Sequence, residues 1–106
     1  MSIANFDEII RRSMEIRKKY RELELLHHGS ECTMEEDALA YLTDAGLVGT
    51  NVMSQQQRWP KAGSEAELEH KLGENMWWLI VLAERSGIDI REAVDRFLTK
   101  TEAGLK

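Results

Sequence analysis

Eight consecutive apolar residues, from Met76 to Ala83, constrain the fold of this chain more than any other stretch. A helix without a polar stripe must be covered on most sides, and a bilayer span needs about 20 apolar residues. We therefore expect protein, and not lipid, to cover this segment. The residues just upstream are polar, namely Glu67, Glu69, His70, Lys71, Glu74 and Asn75. The sequence predicts a charged entrance to a helical core.

Length and composition indicate one domain over residues 1–106 of a cytoplasmic protein. The net charge of -5 argues against nucleic-acid binding, which needs a concentrated positive face. The single cysteine, Cys32, cannot form an internal disulfide and favours a reducing compartment. We see no signal peptide and no membrane segment. Helical chains of this size often dimerise to cover apolar surface, and we expect a homodimer.

Four capping boxes predict four helices, because each places a short polar residue three positions before a glutamate. They are Asn5 with Glu8, Thr33 with Glu36, Ser64 with Glu67, and Asp89 with Glu92. The predicted helices run over about 6–26, 34–57, 65–85 and 90–101. The fold class is therefore all-α, and helices of similar length favour a four-helix antiparallel bundle.

The second helix is ambiguous, because Gly46 and Gly49 lie within it and each glycine costs a helix about 1 kcal/mol relative to alanine. Either the helix continues with close packing at the glycines, or it breaks and restarts. We favour continuation, since the apolar residues keep a helical rhythm and no proline occurs before Pro60.

The other helices lead to two further expectations about burial. The first helix carries six basic residues in its middle, and we interpret them as a solvated basic face. The alternative is a site that binds an anion. The six residues are Arg11, Arg12, Arg17, Lys18, Lys19 and Arg21. In the fourth, helical spacing predicts an inward-facing set consisting of Ile90, Ala93, Val94, Phe97 and Leu98.

Two carboxylates are the leading metal-site candidates. Asp44 lies in an otherwise apolar stretch of the second helix, and a carboxylate there needs a cation, a metal or several hydrogen bonds. Paired with Glu74 across antiparallel helices, it would form a hard-oxygen site suited to Mg²⁺. Glu36 and Glu67 are weaker candidates. The alternative is structural, with Lys71 paired to acids on the surface of the third helix.

The connector Arg58-Trp59-Pro60-Lys61 places an indole between two cations. One interpretation stacks a nucleobase or a partner on Trp59, with Arg58 or Lys61 near phosphate. The other lets Trp59 plug the end of the bundle. His70 and Lys71 complete the set of candidate substrate-binding residues.

The stretches Leu72 to Leu79 and Leu82 to Ala93 resemble the MazG-type all-α nucleoside triphosphate pyrophosphohydrolases. That family carries E-x-x-E on its second helix and E-x-x-D, followed by an apolar run, on its third. The resemblance implies a MazG-like dimer that binds Mg²⁺ or Mn²⁺ around a nucleotide and releases pyrophosphate.

Carried over residue by residue, the family's metal set is incomplete here. Its third-helix acids fall on Lys71 and Glu74, and its second-helix acids fall on Asp44 and Leu47, or in another register on Glu35 and Glu36. Its phosphate-binding residues at the end of the fourth helix fall on Phe97, Thr101 and Gly104, none of which is kept.

Two hypotheses follow from this incomplete set. One is a divergent pyrophosphohydrolase that uses Asp44 and Glu74. The other is a non-catalytic nucleotide-binding or protein-interaction dimer in which Lys71 pairs with those acids in place of a metal.

Overall fold

The structure, a computed structural model, describes residues 5–105. Over that range it is all-helical, with four helices and no strand: α1 (Phe6–His28), α2 (Met34–Gln55), α3 (Ser64–Arg85) and α4 (Ile90–Gly104). The all-α class is confirmed. The second helix is continuous through both of its glycines, as expected, although it ends at Gln55 because Gln57 takes a left-handed conformation with φ 63°.

In three of the four predicted capping boxes the N-cap side chain accepts a helix amide as expected. Asn5 accepts from the Glu8 amide, Thr33 and Glu36 form a reciprocal capping box, and Asp89 accepts from the first amides of α4. The fourth prediction was wrong, because Gly63 caps α3 and Ser64 is already helical. Ser64 is buried, and its hydroxyl instead accepts a hydrogen bond from the Gln55 side chain at 2.7 Å.

An antiparallel hairpin of α2 and α3 forms the centre of the fold. Residues early in α2 meet residues late in α3, as in the Asp37–Arg85 ion pair, and residues late in α2 meet residues early in α3, as in the Asn51–Glu67 hydrogen bond. The α1 helix packs on α3, where Trp77 donates its indole N–H to the Ser13 carbonyl at 3.1 Å. The start of α4 is joined to the start of α1 by an Arg91–Asp7 ion pair.

The apolar run of α3 is only partly covered within one chain. Ile80, Val81 and Ala83 are buried, whereas Met76 and Leu79 are exposed. The inward face predicted for α4 was also wrong for four of its five members: Ile90 is half-buried, but the other four are exposed, including Phe97 at 65%. Helical spacing identified the apolar face correctly, but beyond Ile90 no other helix within residues 5–105 buries it.

Candidate functional site

A lysine-centred junction lies between α2 and α3. The Lys71 ammonium donates to Asp44 Oδ1 at 3.1 Å and to Glu74 Oε1 at 2.8 Å. The other oxygen of Asp44 accepts the Trp78 indole N–H at 2.7 Å. Both oxygens of the one carboxylate in the apolar stretch of α2 are therefore already bonded to side chains of α3.

The positions of these groups follow from helical spacing. Lys71, Asn75 and Trp78 recur at intervals of four and three residues, so they share the side of α3 that faces α2. Asn75 donates its amide to the backbone carbonyls of Asp44 at 3.2 Å and Lys71 at 2.6 Å. The hydrogen bonds that Lys71 donates to Glu74 and Asp44 raise the pKa of Lys71, which keeps the ammonium charged at neutral pH.

The two leading metal candidates, Asp44 and Glu74, do meet, but at a point that an ammonium occupies. The weaker candidates lie elsewhere. Glu36 accepts from the Thr33 amide at 2.7 Å in the cap of α2, and Glu67 accepts from Asn51 at 2.7 Å and Lys61 at 2.8 Å. Within residues 5–105, no three His, Cys, Asp or Glu side chains converge as a metal-binding group.

The candidate substrate-binding residues fall into two groups. His70 is exposed with its Nε2 3.8 Å from Glu74, so it lies beside Lys71 at the junction. Lys61 instead bonds Glu67, and Arg58 and Trp59 lie exposed in the connector. Trp59 is 70% exposed, so the suggestion that it plugs the end of a bundle was wrong for this chain.

Sequence reasoning missed a buried charge cluster where α1, α2 and α3 meet. Arg17 is only 2% exposed, against the expectation of a solvated basic face. Its guanidinium lies 3.3 Å from Glu24 and 3.5 Å from Asp37, and Asp37 also accepts from Arg85 at 2.5 Å. The sequence contained only a weak indication that Arg17 is buried. Arg17 lies seven residues from both Ile10 and Glu24, so it shares a helical face with an apolar residue and an acid.

The charges in this cluster balance, with two guanidinium groups and two carboxylates. Asp37 raises the pKa of Arg85 by hydrogen bonding. Burial alone would raise the pKa of Glu24, but hydrogen bonds from the Cys32 amide, at 2.9 Å, and from Arg17 outweigh it and lower that pKa. The Glu24 carboxylate is therefore charged at neutral pH and can compensate a buried guanidinium.

A cavity of about 200 Å³ separates the charge cluster from the lysine-centred junction. Tyr20, Trp77 and Trp78 supply aromatic walls, and Arg17, Glu24, Asp37 and Glu74 supply charges. Arg17 contributes two buried donors, Nε and Nη2, that have no hydrogen-bond partner within the described part of the chain. Such donors suit an acceptor held inside the cavity, whether ordered water or part of a ligand.

Fold and site thus define an all-α protein with a lysine-centred polar junction inside a helical hairpin. Comparison of the chain with protein-family models, curated proteins and solved structures finds no match in any of the three. Over residues 5–105, no helix combines the length and apolar character needed to cross a bilayer.

Proposed function

We propose that this chain is a MazG-like helical domain that has lost metal-dependent pyrophosphohydrolysis and works as a homodimeric interaction module. The observation that carries this proposal is the Lys71 ammonium, which bonds Asp44 and Glu74 together. In the family that the sequence resembles, this is the place where acids on the second and third helices hold Mg²⁺.

The replacement of acidic metal ligands by a leucine and a lysine explains the loss of metal-dependent hydrolysis. Mg²⁺ requires near-octahedral oxygen ligation, and metal-assisted hydrolysis needs that ion to hold the phosphates and polarise water. Of the four family positions in the favoured register, Leu47 and Lys71 offer no carboxylate. A lysine at the centre supplies a fixed positive charge that satisfies the remaining acids and leaves no open coordination position.

An activity assay tests the loss of hydrolysis. The protein is incubated with a panel of nucleoside triphosphates and Mg²⁺ or Mn²⁺, and pyrophosphate is measured. We expect no release above the buffer rate. Metal-dependent release that disappears in Glu74→Gln would contradict the proposal and restore the divergent-enzyme hypothesis.

A reverse substitution tests the assignment of the site. Leu47→Glu with Lys71→Glu restores four carboxylates at the junction, and we expect it to bind Mn²⁺ measurably by calorimetry where the parent does not. Lys61→Glu is the matched control, because that lysine also pairs with an acid but lies outside the junction. Equal Mn²⁺ binding by both variants would argue against a former metal site.

The homodimer is supported by the amount of surface that one chain leaves exposed. The accessible surface is 8031 Å², whereas a compact monomer of 12.2 kDa exposes roughly 6,100 Å². The radius of gyration is 16.4 Å, against about 13 Å for a compact domain of this length. The excess of about 2,000 Å² is in the range that one subunit of an obligate dimer buries.

Nucleotide binding without hydrolysis is a second candidate. It is favoured by Arg17 in an aromatic-walled cavity, because its Nε has no hydrogen-bond partner within residues 5–105 and its Nη2 has only a long ion pair of 3.5 Å with Asp37. The cavity is smaller than the ~300 Å³ typical of the smallest ligand sites, so it suits a base and not a whole nucleotide. A thermal-shift panel of nucleosides and nucleotides tests it. A stabilisation lost in Trp77→Leu would support this function, and no shift at millimolar ligand would exclude it.

A further inference from the structure

The outer side of α2 carries a continuous apolar face that nothing within residues 5–105 covers. We call it the α2 outer stripe, and it consists of Leu39, Leu42, Gly46, Gly49 and Met53. Its spacing alternates between three and four residues, which places all five on one face in the pattern of a coiled-coil seam. Leu39 and Leu42 are 63% and 65% exposed, among the more exposed large apolar side chains.

The two glycines of the stripe have no explanation inside one chain. A Cβ atom added at Gly46 or Gly49 would meet no other group within 4 Å. Both lie inside a helix, where glycine is less favourable than alanine. Glycine becomes useful when a second helix approaches closely, because the missing side chains let the two backbones come near each other.

We infer that a second copy of this chain covers the α2 outer stripe, with the two α2 helices antiparallel and the two-fold axis passing near Gly46. This inference rests on the proposed homodimer and assigns its contact surface. About that axis Leu39 lies opposite the Met53 of the second copy, and Leu42 lies opposite the Gly49 of the second copy. In this arrangement Leu42 packs against a glycine of the second copy, and Leu39 packs against a methionine.

Charge favours the antiparallel arrangement over the parallel one. The first turn of α2 contains Glu35, Glu36 and Asp37, and the chain beyond its other end carries Arg58. Antiparallel copies bring the exposed Glu35 of one chain near the exposed Arg58 of the other. Parallel copies would place the exposed Glu35 side chains of the two chains side by side, where like charges repel.

Disulfide cross-linking tests this geometry. In a Cys32→Ser background, Gly46→Cys places a thiol near the two-fold axis, where two α-carbons can approach within the ~7 Å limit of a disulfide. We expect mild oxidation to produce a covalent dimer. Glu35→Cys is the matched control, because it lies on the same face but about 33 Å from its copy in the antiparallel arrangement.

The outcomes separate this inference from the proposed homodimer. Cross-linking of both variants would mean parallel helices, in which every position lies beside its own copy, and would overturn the geometry. A sedimenting dimer in which neither variant cross-links would overturn the stripe and leave the homodimer intact. A monomer at micromolar concentration would overturn both.

A charge substitution gives an independent measurement. Leu42→Asp would bury two unpaired carboxylates at the dimer contact, and we expect the dimer dissociation constant to rise on the order of 100-fold while helical circular dichroism is kept. Leu26→Asp is the control, since Leu26 is exposed on α1 and lies outside the stripe. An unchanged dissociation constant in Leu42→Asp would contradict the inference.

Discussion

At the scale of single residues, buried charge determines how the helices of this protein are joined. Asp37 lies in the first turn of α2, where the helix dipole alone would explain an acid. In the structure it is buried and compensates two guanidinium groups, those of Arg17 and Arg85. A residue that looked like a local helix-start signal therefore links three helices.

We expect removal of the Asp37 carboxylate to destabilise the fold strongly. We predict that Asp37→Ala lowers the free energy of unfolding by about 3–5 kcal/mol, because two guanidinium groups would lose their shared counter-charge. Urea denaturation measures the change. The exposed Glu22→Ala should shift the free energy by no more than ~0.5 kcal/mol, so similar losses in both variants would show that Asp37 has no special role.

The lowered pKa of Glu24 predicts a dependence of stability on pH. Because the folded pKa lies below its ordinary value of 4.5, this group stabilises the fold above that pH and loses its contribution as the pH falls through the folded pKa. Urea titrations between pH 7 and pH 3 measure the slope. Glu24→Gln should show a shallower decline in this acid range, and an unaltered decline would refute the linkage.

At the scale of helices, a glycine can be required by the local backbone conformation or by contact with a distant helix. Glycine shows this clearly: Gly63 takes φ 75° at the start of α3, where a side chain would be strained, whereas Gly73 lies within the same helix and a Cβ there would meet nothing within 4 Å. The backbone conformation therefore explains why residue 63 is a glycine, whereas no contact or backbone angle within residues 5–105 requires a glycine at position 73.

We predict opposite effects for alanine at these two glycines. Gly73→Ala should raise the free energy of unfolding by about 1 kcal/mol, since alanine favours the helix and the site is open. Gly63→Ala should lower it by about 1 kcal/mol, because the left-handed conformation disfavours a side chain. Thermal and urea unfolding measure both, and a loss of stability in Gly73→Ala would mean that a neighbouring surface contacts that position.

At the scale of the whole molecule, the chain has too small a buried apolar core for its length. Only Ile80, Val81 and Ala83 are buried apolar residues within the described range. The interface between α2 and α3 is instead rich in polar layers, including the Asn51–Glu67 bond and the Lys71 junction. Such a hairpin gains less from hydrophobic burial, so association with a second copy should contribute much of its stability.

Stability that depends on association should depend on protein concentration. We predict that the melting temperature rises by several degrees between about 1 and 100 µM protein, because mass action favours the folded dimer. Differential scanning calorimetry across that range measures it. A melting temperature independent of concentration, together with monomer sedimentation, would show that one chain is stable alone.

Helix boundaries were predictable because caps, glycine stops and apolar periodicity act over a few neighbouring residues. The meeting of Asp44, Lys71 and Glu74 was also within reach, since two antiparallel helices of matched length fix which residues face each other. The metal-binding and substrate-binding roles of the candidate residues stay predictions, because they depend on chemistry that the helical arrangement alone does not determine.

The sequence by itself therefore determined, to within about three residues, where the helices start and end, and it identified the apolar face of each. Only the tertiary structure decided that Arg17 is buried and Phe97 exposed, because burial depends on which distant helix lies across a face. It also decided that an ammonium occupies the space between Asp44 and Glu74, since that position depends on the register of α2 against α3.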